Sequence, residues 1–304
     1  MRNNRTRHLV LLAIWLFIGS IAGYFFYVGI VQGGISFEPK HVGEPTEVLY
    51  DVTLDQSVKS VTIDWISGGV KIIPTNDDSI RIVEKAYEPV EKKKWADVTV
   101  LGNSLTIESK NKPLFFFLGL MTRSTYLEVY LPISISLDSV KLVGVSGNYS
   151  IEGLYSNLTQ IVLTSGNLTI DNSYSALLSL TMTSGNSTVT DSQILSANIT
   201  MTSGRLDYQA DTINFNAEMT SGLANLRFGN TNPESLSLSM TSGSSNIHLY
   251  GQTAFSVSVD KTSGSFNPNF TYVKNDKIYS YLSGGPIYTI DMTSGAVDFT
   301  LGGQ

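Results

Sequence analysis

From Glu47 onward apolar and polar residues alternate along the chain, the period of a half-buried β-strand, and the pattern stays β throughout. Val61-Thr62-Ile63-Asp64-Trp65-Ile66 alternates up to Ser67-Gly68-Gly69 and resumes as Val70-Lys71-Ile72-Ile73, which predicts two strands meeting at a Ser-Gly turn. Further strands are predicted at Ile80–Val83, Ala96–Leu101, Ser104–Glu108 and Tyr126–Leu131. The same design then repeats. Met-Thr-Ser-Gly occurs at Met182–Gly185, Met201–Gly204, Met219–Gly222, Met240–Gly243 and Met292–Gly295, with variants ending at Gly147, Gly166 and Gly264. Subtracting serine positions from Ser146 to Ser263 gives 19, 19, 19, 18, 21 and 21, a period that marks stacked repeats.

The phase of the alternation assigns an inside and an outside. Counted back from each Ser-Gly, Leu178/Leu180/Met182, Phe215/Ala217/Met219 and Leu236/Leu238/Met240 share one parity, and beyond the turn Leu168/Ile170, Leu206/Tyr208, Ala224/Leu226, Ser245/Ile247 and Val297/Phe299 share the other. These positions are expected to face the core. Each unit of about 19–21 residues is then two short strands about a sharp corner, built by Ser165-Gly166, Ser184-Gly185, Ser203-Gly204, Ser221-Gly222 and Ser242-Gly243. Glycine there supplies φ > 0 and lets corners stack without a Cβ, while serine bonds to local backbone. Units this small cannot bury their own apolar face, so the predicted fold is an all-β solenoid of eight or nine rungs, on the order of 40 Å long. An antiparallel sandwich is the competing architecture; it leaves the near-constant return of one tetrad unexplained.

Open ends of such a stack would be adhesive edges, so caps are expected. Glu84–Lys94 and the apolar run Leu114–Met121 belong near the N-terminal end, and Asn267–Pro286, which interrupts the period, is expected to fold over or beside the last rungs. Phe115, Phe116 and Phe117 within the apolar run serve either as that cap or as a docking loop for a membrane or partner.

The residues before the β pattern bear on compartment. Leu9–Val31 is a run of 23 residues without charge, long enough to cross a bilayer as a helix, and Arg2, Arg5 and Arg7 precede it. The positive-inside rule then predicts a single-pass membrane protein: a cytoplasmic basic tail over residues 1–8, a transmembrane helix over 9–31, a linker over 32–46 and an extracytoplasmic solenoid over 47–304, with N-terminal rungs and cap to residue 140 and the Thr-Ser-Gly repeats from 141. A cleaved signal peptide ending near Ser20-Ile21-Ala22 is the competing reading, but Tyr24–Val28 carries the apolar run past that site.

Composition narrows the chemistry. Only 15% of the 304 residues are charged, against about 25% in ordinary domains, and Ser, Thr and Asn take their place. Without the three arginines the formal charge of −6 becomes −9, which excludes nucleic acid as a partner. No cysteine is present, so disulfides and thiolate metal sites are excluded. Of three histidines only His248 lies in the repeats, the aspartates share a register in at most two pairs, and no ligand cluster is visible, so neither a catalytic site, a cofactor nor a metal is expected.

What remains is surface. Thr164, Thr183, Thr202, Thr220 and Thr241 precede the corner serines as an outward file, continued by Thr262 and Thr293, with Thr181 and Thr200 as a second short file. Such a file either presents hydroxyls to sugars or ordered water, or reflects β-propensity alone. Asn148, Asn157, Asn167, Asn186, Asn198 and Asn269 each begin an Asn-x-Ser/Thr triplet, read either as glycan acceptors or as turn chemistry.

The strands Val61–Ile63 leading to Ser67–Ile72, Ser104–Glu108, Tyr126–Pro132 and the Ser-Gly series from Ser146 together resemble a family of bacterial and archaeal envelope proteins described as putative adhesins, over about Glu47 to Leu301. The resemblance implies a domain of β-strand repeats and carries over no catalytic residue. It leaves open adhesion through wall polymer or glycan contact, a sensing or accessory module of an envelope-stress system docked on another membrane protein, and a polysaccharide-cleaving β-helix, which a groove gathering acids and bases would favour.

Overall fold

The computed structural model describes residues 45–55, 57–110, 125–229, 231–251 and 253–302. The expected transmembrane helix, most of the linker and Phe115–Phe117 lie outside the described residues. Pro45 onward forms one compact unit. Among the described residues no helix is long and apolar enough to cross a membrane.

Among the described residues, twenty-one strands run in chain order. The first six are β1 (Glu47–Leu54), β2 (Ser60–Thr75), β3 (Ile80–Ala86), β4 (Asp97–Leu101), β5 (Ser104–Glu108) and β6 (Thr125–Pro132). The repeats follow as β7 (Leu137–Glu152), β8 (Tyr155–Leu163), β9 (Asn167–Asp171), β10 (Tyr174–Met182), β11 (Asn186–Met201), β12 (Arg205–Met219), β13 (Leu223–Phe228), β14 (Ser235–Met240) and β15 (Ser244–Tyr250). The last six are β16 (Phe255–Lys261), β17 (Ser265–Asn269), β18 (Val273–Asn275), β19 (Ile278–Tyr281), β20 (Ile287–Met292) and β21 (Ala296–Gly302).

The repeats stack in parallel as two columns, one entering each Ser-Gly corner and one leaving it. On the entering side Leu180 lies opposite Ile161 and Ile199; on the leaving side Leu206 lies between Ser187 and Ala224. The parity read from the sequence is the observed one: Leu178, Leu180, Met182, Phe215, Leu236, Leu206, Ile247 and Phe299 are all buried in one continuous core. Each such aliphatic side chain contributes roughly 1.5–3 kcal/mol by leaving water.

The corner residues behave as their chemistry requires. The nine stacked corner glycines, Gly68, Gly147, Gly166, Gly185, Gly204, Gly222, Gly243, Gly264 and Gly295, have φ between +94° and +144°. A Cβ on any of them but Gly68, which faces the Thr125 carbonyl, would strike a glycine carbonyl of the adjoining level: one on Gly204 that of Gly185, and one on Gly185 that of Gly166. Those carbonyls cannot retreat, because they accept ladder hydrogen bonds, Arg205 N–H to Gly185 O at 2.9 Å and Asn186 N–H to Gly166 O at 3.0 Å. The serines point back into the ladder. Ser203 and Ser221 Oγ donate to the Thr183 and Thr202 carbonyls of the preceding level, each at 3.3 Å.

Stacking order departs from chain order at both ends. β2 sits between β7 on one side and β5 with β6 on the other, and the final level, β20 with β21, is inserted between β14/β15 and β16/β17. The level made of β16 and β17 is thus the outermost, although it precedes β20 in sequence. Its tetrad marks it: Lys261 stands where inner levels have a core Met, lies opposite Met292, is exposed, and donates to the Gly264 carbonyl at 2.9 Å.

Both ends are capped by antiparallel strands. β19 pairs with β16 and β18 with β19, so Asn267–Pro286 folds beside the terminal level as expected. Phe270 and Tyr281 pack on Phe255, with Phe270 also on Phe299, at ring-centroid distances of 5.3–5.8 Å, closing the core with aromatic surface. On the leaving column β17 has β21 as its one strand neighbour among the described residues, and Pro268 removes one donor from that edge. At the other end β4 covers β5, while β3 and β1 cover β6.

Within that N-terminal cap Glu84 is fully buried and accepts the Ala96 amide at 2.6 Å. Burial pushes its carboxyl above the ordinary 4.5, and the bonds from Ala96 and Thr125 bring it only part of the way back. The folded state therefore holds this proton more tightly than the unfolded chain. Stability from the neutral acid is present below the ordinary pKa and is lost as pH rises through the raised one. Glu84→Gln is expected to match the wild type in mildly acidic buffer and exceed it at neutral pH in urea unfolding; a difference that does not change with pH would show that Glu84 titrates normally in the fold.

Candidate functional site

Outward positions repeat with the levels, so each becomes a file of side chains spaced about 4.8 Å apart. Thr164, Thr183, Thr202, Thr220, Thr241, Thr293 and Thr262 form one such file in stacking order, and all are exposed. Thr181 and Thr200, two residues earlier, are exposed beside it. The structure therefore brings the predicted threonines together as one hydroxyl-bearing strip along the corner, while the corner serines turn inward to the ladder.

Beyond the corner the first outward file is an amide ladder. Asn167 Nδ2 donates to Asn148 Oδ1 at 2.9 Å and Asn186 Nδ2 to Asn167 Oδ1 at 3.0 Å. Three of the six Asn-x-Ser/Thr triplets thus begin at ladder residues whose side chains already pair with each other. Losing one rung of this ladder removes a hydrogen bond worth about 1 kcal/mol. A second ladder, three residues past each glycine, joins Asn225 to Asp207 at 2.6 Å and Asn246 to Asn225 at 2.8 Å, while Asn267 bonds Asp298 at 2.7 Å.

This second ladder floors a groove of about 570 Å³ whose walls include Arg205, Tyr208, Gln209, Arg227, His248 and Thr300. A second cavity of about 500 Å³ continues from it across Gln209, Arg227 and His248 to Asp191, Gln193 and Asp211. Arg205 pairs with Asp207 at 2.6 Å. Partial burial pushes the Asp207 carboxyl up, but the bonds from Arg205 and Asn225 outweigh it and hold the group below the ordinary carboxylate range. His248 Nδ1 lies 3.1 Å from Thr300 Oγ1. Arg227 is exposed and has no carboxylate partner among the described residues.

The groove was missed by reading the aspartates for shared register. Its signal lay in positions three and five past each glycine, where Asp207, Asn225, Asn246 and Asp298 align with Gln209, Arg227, His248 and Thr300. Arg205 and Asp207 neutralise each other, while Asp298 and His248 bond to Asn267 and Thr300, so the groove offers Arg227 together with hydrogen-bond donors and acceptors. Among the described residues no three His, Asp or Glu side chains gather as a metal site.

A parallel, Ser-Gly-cornered stack with polar ladders outside and capped ends defines an all-β, solenoid-like class of domain. The chain belongs to the Toastrack DUF4097 family, which it matches over residues 58–300. Solved structures that the chain matches include a putative adhesin from Bacteroides fragilis, 11% identical over 83% of this chain and 96% of that one with a TM-score of 0.46. A putative lipid binding protein from Parabacteroides distasonis is 12% identical over 83% and 96%, with a TM-score of 0.47. A putative cell adhesion protein from Clostridium sporogenes is 12% identical over 85% and 100%, with a TM-score of 0.31. No curated protein matches the chain.

Proposed function

We propose that this chain is a membrane-anchored, extracytoplasmic module that contacts envelope glycan or wall polymer through its outer ladders and has no chemistry of its own. The observation that carries this reading is the unbroken run of exposed threonines along the corner, flanked by amide ladders and the groove. A regular neutral surface of hydroxyls and amides matches a polymer of repeating hydroxyls, and its low charge suppresses competition from ionic partners.

Retention of the full chain on purified wall polymer tests this. Thr183, Thr202 and Thr220 replaced together by Lys are expected to reduce retention at least about tenfold, since three long cations would break the strip without touching the core. Unchanged retention would remove the threonine strip from the contact, and capture of a membrane protein insensitive to these changes would favour the envelope-stress module instead.

Polysaccharide cleavage is kept as a second reading because Arg205, Asp207, Arg227, His248 and Asp298 do share one groove. Shortened polymer chains after incubation with the wild type, absent with His248→Ala, would establish it.

A further inference from the structure

Tyr155 and Tyr174 lie opposite each other on successive levels, with ring centroids 4.4 Å apart and planes within 13° of parallel. They face outward, and Tyr155 is 48% exposed. The stacked planes set their faces along the direction of stacking. Register continues the same file through Gln193, opposite Tyr174, and Asp211, opposite Gln193. Both of those residues line the second cavity, which leads to Arg227 and His248. An aromatic platform and a polar groove therefore lie end to end on one track.

We infer that this track is a binding site for a neutral glycan chain, with the Tyr155–Tyr174 stack as the platform for one sugar ring and the Gln193, Arg227 and His248 groove receiving hydroxyls of the following units. This rests on the glycan reading above and names the place and class of ligand. Three features favour it. The facing sides of the two rings are taken up by their stack, and their outer edges together form an apolar patch that can pack against the C–H groups of a sugar. Levels about 4.8 Å apart are close to the length of one pyranose unit, so a chain laid along the track meets about one new level per sugar. Four carboxylates, Asp191, Asp207, Asp211 and Asp298, line the two cavities against two guanidiniums, Arg205 and Arg227, a balance that repels polyanions. As a structural pair alone, the tyrosines would contribute cross-strand stability and nothing else.

The test is calorimetric titration of the full chain in detergent with the hexamer of N-acetylglucosamine, the hexamer of β-linked glucose and heparin. The wild type is expected to bind at least one neutral hexamer and to bind heparin more weakly. Tyr155→Ser with Tyr174→Ser is expected to lose about tenfold or more in affinity while keeping cooperative unfolding, and Tyr155→Phe to bind like the wild type, because the ring and not the hydroxyl makes the contact. If the double variant binds as the wild type does while the triple Thr→Lys variant fails, the tyrosine site is wrong and the general glycan reading survives. If the wild type binds neither neutral hexamer, or heparin alone, the neutral-glycan site is overturned; wall polymer retention then decides the broader reading separately.

Discussion

Gly204→Ala is expected to destabilise the fold by roughly 3 kcal/mol or more, the sum of a backbone conformation closed to L-residues and a disturbed ladder bond. At φ +116° the new Cβ would meet the Gly185 carbonyl closer than real Cβ atoms approach, and that carbonyl is fixed by the Arg205 amide. Relief would require two levels to separate, which breaks the ladder above and below. Gly102→Ala is the control. Gly102 also has positive φ, +59°, but a Cβ there meets nothing within 4 Å, so only the left-handed backbone cost of about 1–2 kcal/mol is expected. Urea unfolding of both variants measures the contrast; equal losses would mean that backbone conformation alone, and not stacking, demands glycine at the corners.

The second large effect is expected from deleting residues 287–304. In a solenoid stacked in chain order this would shorten the stack by one level and leave the rest intact. Here β20 and β21 pair with β14 and β15 on one side and with β16 and β17 on the other, so deletion strips the terminal level of its only parallel neighbours. Residues 255–286 are expected to lose amide protection completely in hydrogen exchange, while Leu158–Met219 keeps it. Persistent protection across β16 would mean that β16/β17 can dock directly on β14/β15.

That inserted level was also the part of the fold least visible in the sequence. Alternation and the recurring tetrad predicted which residues face inward, down to Ser245, a polar side chain occupying a core position and fully buried there. Such periodicity fixes faces, not neighbours, because every Met-Thr-Ser-Gly level offers the same surface to the next. Met292–Gly295 and Met240–Gly243 are interchangeable as patterns, and nothing local states that they are adjacent. Two signals were visible, as an interrupted period and a variant tetrad, but do not by themselves state the stacking order: the interval of 31 residues from Ser263 to Ser294, and Lys261 in place of a core Met, a charge that an outermost level tolerates.

The site was legible to a different degree. The threonine file followed from spacing, because one outward residue per period must align. The amide ladders and the groove depend on which outward side chains touch across levels, and the phase changes when periods of 18 and 21 residues intervene around Ser221 and Ser242. The Tyr155–Tyr174 pair precedes its corners by the same interval, but its proximity to Arg227 and His248 depends on how the chain turns at the second corner, near Asp191 and Asp211, which no motif marks.

The inserted levels at the two ends also restrict how this domain can change length during evolution. A duplicated unit added directly after β21 would find no free edge on that strand, since β15 and β17 flank it. The same holds ahead of β2, which is likewise flanked. Only between Gly147 and Gly243, where chain order and stacking order coincide, can a copied unit enter without rewiring either end. Gain and loss of repeats are therefore expected in the interior, with the ends unchanged while the outer ladders between them lengthen or shorten one level at a time.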